Sequence, residues 1–379
     1  DLHVHLREPG FTHKETLASG GRAAARGGYT AVVCEPNTSP PIDTPERAGE
    51  LAEKARRDSP VRVYLKAAMT AGREGRRPAD IGALARVPSV VALSDDGDPL
   101  TRLDVMEEVC RAAARVGLPL SPHCEDSERA LADYREGAAP GFEPAGPYAN
   151  EARYVRRDLE LARRWGCQVH FSHVSLAESV DLLRRFRLAS GAGARVSFEL
   201  APHHLLLCTA DYEAGQPPRV NPPLRSAADR RALQEALLGG EADAVASDHA
   251  PHAAQDVARG ASGLIGLETT LGLVLTHFVH AGRMSALAAA RALSTRPAQV
   301  FGLPGGSLSV GRPADLVLID PQEEWMVRAE EFASLSRNTP YEGWRLRGRA
   351  VGVMVEGRLV YARDSLRSRI NYRQETAGR

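Results

Sequence analysis

The chain has 379 residues, enough for one large α/β domain and a small additional unit. Basic and acidic residues number 48 each, hydrophobic residues make up 43% of the chain, and no apolar run is long enough to span a membrane, so neither a nucleic-acid-binding nor a membrane protein is expected. The five cysteines are widely spaced and form no Cys-x-x-Cys motif, which favours reduced thiols and a cytoplasmic protein over a disulfide framework.

Short apolar runs alternate with longer segments of helical periodicity through most of the chain. The predicted strands end near His5, Pro36, Ala67, Asp96, His123, His173, Pro202 and Asp248. The predicted helices span residues 14–26, 44–57, 79–86, 102–116, 150–165, 176–189, 227–238 and 266–282. Eight β-α repeats in about 280 residues predict an α/β fold of the (β/α)8 TIM-barrel type, with an open doubly wound sheet as the alternative.

The pattern changes after Gly302. Residues 307–320 and 350–361 have the composition of strands, and Glu356-Gly357 predicts a hairpin turn. We therefore expect the barrel to cover residues 1–302, and a small β-sandwich portion with a C-terminal tail to cover residues 303–379. The tail from 365 to 379 is polar and is predicted to pack loosely.

The first predicted strand carries His3, His5 and Arg7 on one face, because alternate side chains of a strand point the same way. Two imidazoles at this spacing can hold one metal ion such as zinc. The guanidinium beside them can bind an anionic group of a substrate. A core strand with two hydrogen-bonded histidines is the alternative interpretation of the motif alone.

Further candidate ligands stand at the ends of other predicted strands, namely Asp96, His123, His173 and Asp248. Because active sites of barrels gather at the carboxyl ends of the strands, these side chains are expected to converge with the two histidines of the first strand. Four imidazoles and two carboxylates can hold two divalent cations. Helix capping or pairing with arginine is the alternative for either carboxylate taken singly. By strand parity His170 points away from His173, so His170 is predicted to be structural.

Two sequence motifs are distinctive, the opening Asp-Leu-His-Val-His-Leu-Arg-Glu-Pro-Gly and the block Ala-Ser-Asp-His-Ala-Pro-His at 246–252. Further segments that go with them are 35–38, 94–97, 123–126, 173–175, 201–204 and 337–341. Together these segments resemble the dihydroorotases of the amidohydrolase superfamily, and the likeness covers nearly the whole chain. The two motifs are specific to cyclic amide hydrolases, and the barrel is therefore expected to be of the metal-dependent hydrolase type.

The resemblance implies roles for two sets of side chains. The metal ligands would be His3, His5, Asp96, His123, His173 and Asp248. Asp96 would bridge two cations, and Asp248 would also move the proton. The substrate-binding residues would be Arg7, Asn37, Asn221, His252, Ser262 and Gly263. His203 and His204 are interpreted as supporting or structural residues and not as ligands.

The resemblance also implies Zn²⁺, one or two ions per chain. Many relatives bridge their metals with a carbamylated lysine at the end of the fourth strand, but that strand ends here in Asp95-Asp96, and Lys66 lies on the third. An aspartate bridge is therefore expected, and Asp96 is preferred over Asp95. Glu35 stands where the family usually has an apolar residue. Val257 and Ser262 replace a lysine and an aromatic residue that are common in the family.

The implied reaction is the reversible cyclisation of N-carbamoyl-L-aspartate to L-dihydroorotate in pyrimidine biosynthesis, carried out by a homodimer. Arg7 and Asn37 favour a substrate that bears a carboxylate. Another cyclic amidase, such as an allantoinase or hydantoinase, is one alternative. A non-catalytic dihydroorotase-like partner of aspartate transcarbamoylase is the other, and an active enzyme is also compatible with such a complex.

Overall fold

The computed structural model of the protein describes residues 1–126, 150–190, 195–212, 217–364 and 366. Its strands are β1 (Ala31–Cys34), β2 (Arg62–Ala67), β3 (Val90–Leu93), β4 (Val169–Phe171), β5 (Val196–Leu200), β6 (Ala244–Val245), β7 (Leu316–Met326), β8 (Arg345–Val355) and β9 (Arg358–Ala362). The first six strands are parallel and form two sheets, in the orders β1-β2-β3 and β4-β5-β6.

Single parallel bridges join these two sheets into a closed ring. Val4 pairs with Cys34 on one side and with His249 on the other, and Leu120 pairs with Leu93 and Val169. The ring therefore has eight strand positions in chain order, which confirms the TIM-barrel prediction. The bridge between Val4 and His249 closes the barrel, so the open doubly wound sheet is wrong.

The α-helices surround the barrel. They are α1 (Leu17–Gly27), α2 (Pro45–Asp58), α3 (Ile81–Leu84), α4 (Leu103–Val116), α5 (Asn150–Trp165), α6 (Ala177–Ser190), α7 (Pro202–Leu206), α8 (Ala227–Leu238), α9 (Ala254–Ala258), α10 (Thr270–Val274), α11 (Ala286–Ala290) and α12 (Arg296–Val300). Eight of these helices fall close to the eight predicted segments, whereas α7, α9, α11 and α12 were not predicted. Among the described residues, no helix is both long enough and apolar enough to cross a bilayer.

Local chemistry explains where the first helices begin and end. The Thr16 side chain accepts a hydrogen bond from the Ser19 backbone N–H before α1, and Gly28 ends that helix at φ 93°. Thr44 caps α2 in the same way, and Pro45 occupies the first helical position, where no N–H is needed.

The predicted helix 266–282 is interrupted. Only Thr270–Val274 is α-helical, and a π-helical segment follows over Leu275–His280. The Thr276 hydroxyl lies in this segment and donates to the Gly272 carbonyl at 2.6 Å. Hydrogen bonds of this kind, from a threonine to the carbonyl one turn earlier, often bend helices.

Beyond the barrel, β7, β8 and β9 form one antiparallel sheet. Glu356 and Gly357 form the turn between β8 and β9 at φ 51° and 77°, which confirms the predicted hairpin. The strand predicted from residue 307 begins only at Leu316, after a turn at Val310 and Gly311 and an irregular segment that contains Pro313. A second layer is not seen among the described residues, so the β-sandwich and the boundary at 302 stay predictions. Most of the tail 365–379 lies outside the described residues.

The C-terminal sheet packs on the barrel through a shared apolar cluster. Leu264 and Leu273 from the barrel side meet Val327, Phe332 and Leu346 from the C-terminal side. Beside this cluster Glu268 accepts hydrogen bonds from the backbone N–H groups of residues 333 and 334, at 2.7 and 3.2 Å.

Glu268 gives this junction a pH dependence. Burial raises the pKa of Glu268 to about 7, because the nearby Arg26 guanidinium offsets burial only in part. The folded protein therefore retains a proton that the unfolded chain releases, and its stability falls as pH rises from about 4.5 through about 7. Between about pH 4.5 and pH 8, we expect the free energy of unfolding of Glu268→Gln to fall by up to about 3 kcal/mol less than that of the unsubstituted protein.

The measurement is chemical denaturation of both proteins between pH 5 and pH 8, each pH with a full unfolding curve. The difference between the two free energies of unfolding isolates Glu268 from other titrating groups. Parallel pH profiles for the two proteins would contradict the assignment.

Candidate metal centre

The carboxyl ends of the barrel strands bring the six predicted ligands together, and all six are buried. His3 and His5 lie on either side of Val4, which pairs with both neighbouring strands of the barrel. The other four ligands come two or three residues after the end of their strand position, which is residue 93 for Asp96, 120 for His123, 171 for His173 and 245 for Asp248. His173 and Asp248 have positive φ angles of 35° and 48°. Strained backbone of this kind clusters at active sites, where the surrounding structure holds it in place.

Asp96 lies at the centre of the arrangement. Its Oδ1 atom is 3.3 Å from both His123 Nδ1 and His173 Nε2 and 3.5 Å from His3 Nε2. Its Oδ2 atom is 3.5 Å from His5 Nε2. Two groups able to hold a cation result, one with His3, His5 and Asp96 and the other with Asp96, His123 and His173. Asp96 belongs to both groups, which is the position required of a bridging carboxylate.

Neither Asp95 nor Lys66 occupies that position. The Asp95 carboxylate accepts hydrogen bonds from the backbone N–H groups of Met69 and Thr70, at 2.9 and 3.3 Å, and from the Thr70 hydroxyl. The Lys66 ammonium is paired with Glu35 and donates to Ser121 at 2.9 Å. The geometry therefore agrees with the preference for Asp96 as the bridge.

Asp248 lies beside the first of the two groups, the one formed by His3, His5 and Asp96. Its Oδ1 atom is 3.5 Å from His5 Nε2 and 3.7 Å from His3 Nε2, and its Oδ2 atom is 3.9 Å from His203 Nε2. Burial alone would raise the pKa of Asp248, but the hydrogen bond from His5 and the nearby histidines outweigh burial and lower it. Asp248 is therefore a carboxylate at neutral pH, able to bind a cation or to accept a proton.

The donor set fits a divalent metal of the zinc type. Burial opposes ionisation of Asp96, yet His3, His123 and His173 hold the pKa of that carboxyl well below its usual range. Within the described part of the chain, the buried His3 Nε2 atom has no hydrogen-bond partner although it faces Asp96 and Asp248. An unpaired nitrogen among buried carboxylates is costly in a protein interior, and a cation held by imidazole and carboxylate donors removes that cost.

Arg7, Lys14 and His252 form a corner beside the centre, which we call the cationic corner because it holds the Arg7 guanidinium and the Lys14 ammonium. The Arg7 Nε–H donates to the Pro251 carbonyl at 3.1 Å, and Arg7 Nη2 is 3.2 Å from His252 Nε2. Lys14 Nζ lies 3.3 Å from His252 Nδ1. Burial lowers the pKa of Arg7 to about 10, so the guanidinium stays charged. Burial, with the charges of Arg7 and Lys14, lowers the pKa of His252 to about 4, so the imidazole is neutral.

The two predicted asparagines contact ligand histidines. Asn37 Oδ1 is 2.9 Å from His5 Nδ1, and its Nδ2 group donates to Asp96 Oδ2 at 3.3 Å. Asn221 Nδ2 is 3.2 Å from His123 Nε2. In this structure both amides orient ligands. Their contact with a substrate stays a prediction.

Ser262 and Gly263 lie in the loop beside His252. The Ser262 backbone lies close enough to His252 to oppose, in small part, the lowering of the pKa of that imidazole. Gly263 has a φ of 144°, and a Cβ atom there would lie 2.6 Å from the Ala250 carbonyl oxygen. Only glycine lets the loop approach the strand end this closely. The two residues predicted to contact the substrate ring, Ser262 and Gly263, therefore lie next to the cationic corner.

Sequence reasoning missed Glu199. Its carboxylate joins two histidines, with Oε1 3.0 Å from His3 Nδ1 and Oε2 3.0 Å from His170 Nε2. His170 is thus a supporting residue, in line with the prediction that it is structural. The available signal was a single carboxylate in the predicted core strand that became β5. A buried charge without a partner is costly, so a carboxylate at this place indicates a partner inside the barrel.

His203 and His204 differ from each other. His204 Nε2 donates to the Pro222 carbonyl at 3.0 Å, whereas His203 faces Asp248. Burial lowers the pKa of His203 to about 4, so this imidazole is neutral. Neither residue belongs to the two ligand groups, and both were predicted to be supporting or structural.

Comparison with known proteins gives the family. The Amidohydrolase family profile matches residues 1–360. The dihydroorotase of Bacillus caldolyticus is 41% identical over 372 residues, covering 95% of this chain and 86% of the relative. The dihydroorotase of Brevibacillus brevis is 39% identical over 372 residues, with the same coverage of both chains.

Solved structures give the same fold. The L-hydantoinase (dihydropyrimidinase) of Arthrobacter aurescens superposes with a TM-score of 0.83 at 26% identity, covering 96% of this chain and 84% of that one. The dihydropyrimidinase of Brevibacillus agri superposes with a TM-score of 0.81 at 23% identity over 96% of this chain and 83% of its own. The chain therefore belongs to the amidohydrolase family, and within it to the group of the dihydroorotases.

Proposed function

We propose that this protein is a dihydroorotase, a metal-dependent cyclic amide hydrolase of pyrimidine biosynthesis. It closes N-carbamoyl-L-aspartate to L-dihydroorotate with release of water, and it catalyses the reverse hydrolysis. The observation that carries the proposal is the convergence of four histidines and two aspartates at one end of the barrel, in a chain about 40% identical to dihydroorotases.

The cofactor we propose is Zn²⁺, one or two ions per chain. His3, His5, Asp96 and Asp248 would hold one ion, and Asp96, His123 and His173 would hold the other. A bound Zn²⁺ supplies an acidified water and a polarised amide carbonyl. The histidines remain neutral ligands only while their protons stay on the nitrogens that face away from the ions.

The cationic corner binds the substrate, and Asp248 transfers the proton. Arg7, with Asn37 and His252, binds the substrate carboxylate and so places the ring amide over the ligand cluster. In the hydrolytic direction Asp248 accepts a proton from water and then donates it to the leaving ring nitrogen. In the biosynthetic direction the same proton moves in reverse. Asn221 and the loop at 262–263 contact the ring.

Removal of metal tests the cofactor. We expect a chelator to reduce dihydroorotate turnover to background, and added Zn²⁺ to restore it. The metal-free protein is expected to unfold at a lower temperature, because a ligand bound only to the folded state adds about 2.7 kcal/mol at one hundred times its dissociation constant. The control is the same chelator saturated beforehand with Zn²⁺. Full turnover by protein shown to be metal-free by elemental analysis would contradict the proposal.

A second candidate is another cyclic amidase, which the likeness to the Arthrobacter aurescens L-hydantoinase favours. The cationic corner argues for a substrate with a carboxylate on the ring, which dihydroorotate has and unsubstituted hydantoin lacks. Rates on dihydroorotate, allantoin and hydantoin, measured with the same metal-loaded protein, separate the candidates. A higher kcat/KM on either of the latter two would reject the dihydroorotase assignment.

Other features of the proposal concern assembly and location. We propose a homodimer in the cytoplasm, with a barrel over residues 1–302 and a β-sandwich portion after it. A complex with aspartate transcarbamoylase is compatible with an active enzyme. The non-catalytic form of such a partner is disfavoured, since this chain has all six ligand side chains.

A further inference from the structure

Three charged side chains lie inside the barrel beneath the ligand cluster. Glu35 follows β1, Lys66 lies on β2, and Glu199 lies on β5. Their side chains are fully buried, with exposures of 0%. We call these three residues the buried charge cluster. It carries two carboxylates and one ammonium, so its net charge is negative.

Both carboxylates of the cluster face the same atom of a metal ligand. His3 Nδ1 is 3.0 Å from Glu199 Oε1 and 3.5 Å from Glu35 Oε1. The opposite ring nitrogen, His3 Nε2, lies between Asp96 and Asp248, at 3.5 and 3.7 Å from their Oδ1 atoms. Glu199 is within hydrogen-bond distance of Nδ1 and can only accept, whereas Nε2 has no hydrogen-bond partner among the described residues, so the proton of a neutral His3 is held on Nδ1. The lone pair of Nε2 is then left for a cation.

Other residues hold the two carboxylates in place. Glu199 Oε2 accepts a hydrogen bond from His170 Nε2 at 3.0 Å, and His170 Nδ1 lies 2.8 Å from the Ser197 hydroxyl. Glu35 Oε1 is paired with the Lys66 ammonium, which also donates to the Ser121 hydroxyl at 2.9 Å. Glu199 and Glu35 are thus anchored from different strands.

Stability alone does not explain a buried ion pair between Glu35 and Lys66. Replacing such a pair by apolar residues of similar volume is often neutral or stabilising, because burying two charges is costly. In the described structure Glu35 Oε2 has no hydrogen-bond partner, so the pair is not fully satisfied. A role in the adjoining metal centre accounts for a charged pair at this place.

We propose that the buried charge cluster positions His3 for metal binding: Glu199 and Glu35 fix the proton on Nδ1, and Lys66 supplies the countercharge for Glu35. The inference rests on the proposed metal-dependent function. Partners of this kind orient ligand histidines and raise their basicity, and removing one typically weakens metal binding by about 10- to 100-fold. Glu35 and Glu199 are positioning residues, because they act on the cation through His3.

The test is a titration of metal-free protein with Co²⁺ against a chromophoric chelator, together with the visible spectrum of the bound cobalt. Glu199→Gln and Glu35→Gln are expected to weaken binding at the His3 group by about 10-fold or more and to alter the spectrum. Lys66→Met is expected to bind as tightly as the unsubstituted protein, or more tightly. It removes a positive charge near the cation and leaves both carboxylates.

Asp243→Asn is the matched control. Asp243 is also a buried carboxylate paired with an arginine, Arg187, but it precedes β6, at the end of the barrel opposite the ligands. Thermal unfolding of each metal-free variant measures general damage. If Glu35→Gln does not fold, the double variant Glu35→Gln/Lys66→Met removes both charges and is expected to bind cobalt more weakly than Lys66→Met.

The outcomes separate the inference from the function. Weaker cobalt binding only where a carboxylate facing His3 is lost supports the inference. Binding by Glu199→Gln and Glu35→Gln equal to that of the unsubstituted protein overturns it, as does equal weakening in all variants, including Asp243→Asn. If the unsubstituted protein binds no cobalt, the metal centre and the inference both fail. If it binds cobalt but does not turn over dihydroorotate, only the function fails, and the titrations still decide the inference.

Discussion

Asp248→Ala is expected to lower kcat for dihydroorotate by about 10³-fold while most of the metal stays bound. The carboxylate lies 3.5 Å from His5 and 3.7 Å from His3, so it faces the ligand cluster where water and the ring amide would meet. Its lowered pKa keeps it ionised at neutral pH, so it is in the form that accepts a proton. His3, His5 and Asp96 remain as ligands after the substitution, which is why metal content is expected to fall far less than the rate.

The measurement pairs steady-state kinetics with elemental analysis of the same preparation. Asp248→Asn is the matched control, since its side chain keeps the shape and loses the basic oxygen. Both variants are expected to be inactive and metal-bound. Turnover near the level of the unsubstituted protein in either one would remove Asp248 as the proton carrier. Loss of all metal would instead make Asp248 chiefly a ligand.

Arg7→Met is expected to raise KM strongly, to lower kcat, and to reduce kcat/KM by about 10²- to 10³-fold. The guanidinium is buried beside His252 and stays charged, so it offers a directed pair of N–H donors to a carboxylate. Without it, the substrate carboxylate would enter a buried site that lacks its main countercharge, and the ring amide would be less well placed.

Arg7→Lys keeps the charge but loses the planar fork, so it is expected to recover part of the loss in KM and little of the loss in kcat. Methionine fills a similar volume without charge, which limits damage to packing. Kinetics on dihydroorotate and on N-carbamoyl-L-aspartate test both directions of the reaction. An unchanged KM for Arg7→Met would refute the assignment of this residue to the carboxylate.

The barrel and the metal-ligand residues at its strand ends were predictable because each strand and its last polar residue can be recognised from neighbouring residues in the sequence. A buried parallel strand is a short apolar run, and the polar residue that ends it is conspicuous, as with Asp96, His123 and Asp248. Their convergence then follows from the barrel, which places all strand ends at one rim. The choice between Asp95 and Asp96 needed coordinates, because one residue along a strand reverses the direction of the side chain.

The buried charge cluster beneath the metal ligands was not predictable from local sequence patterns. Glu199 and His3 are 196 residues apart, and Glu35 and Lys66 are 31 residues apart, so only the closed barrel reveals these pairs. The same holds for Asn37, to which the family resemblance gives a role in substrate binding and which contacts His5 and Asp96 in the structure. The helix is interrupted after Val274 by a π-helical segment in which the Thr276 hydroxyl donates to the Gly272 carbonyl, and such a hydrogen bond carries no periodic signal in the sequence.

The most direct test of the account is a diffraction measurement on crystals of the zinc-loaded protein, with data collected on both sides of the zinc absorption edge. We expect anomalous density between Asp96 and the histidine pair His3 and His5, with a second peak between Asp96, His123 and His173 if two ions bind. Zinc located only away from these side chains, in crystals of enzyme that turns over dihydroorotate, would contradict the account.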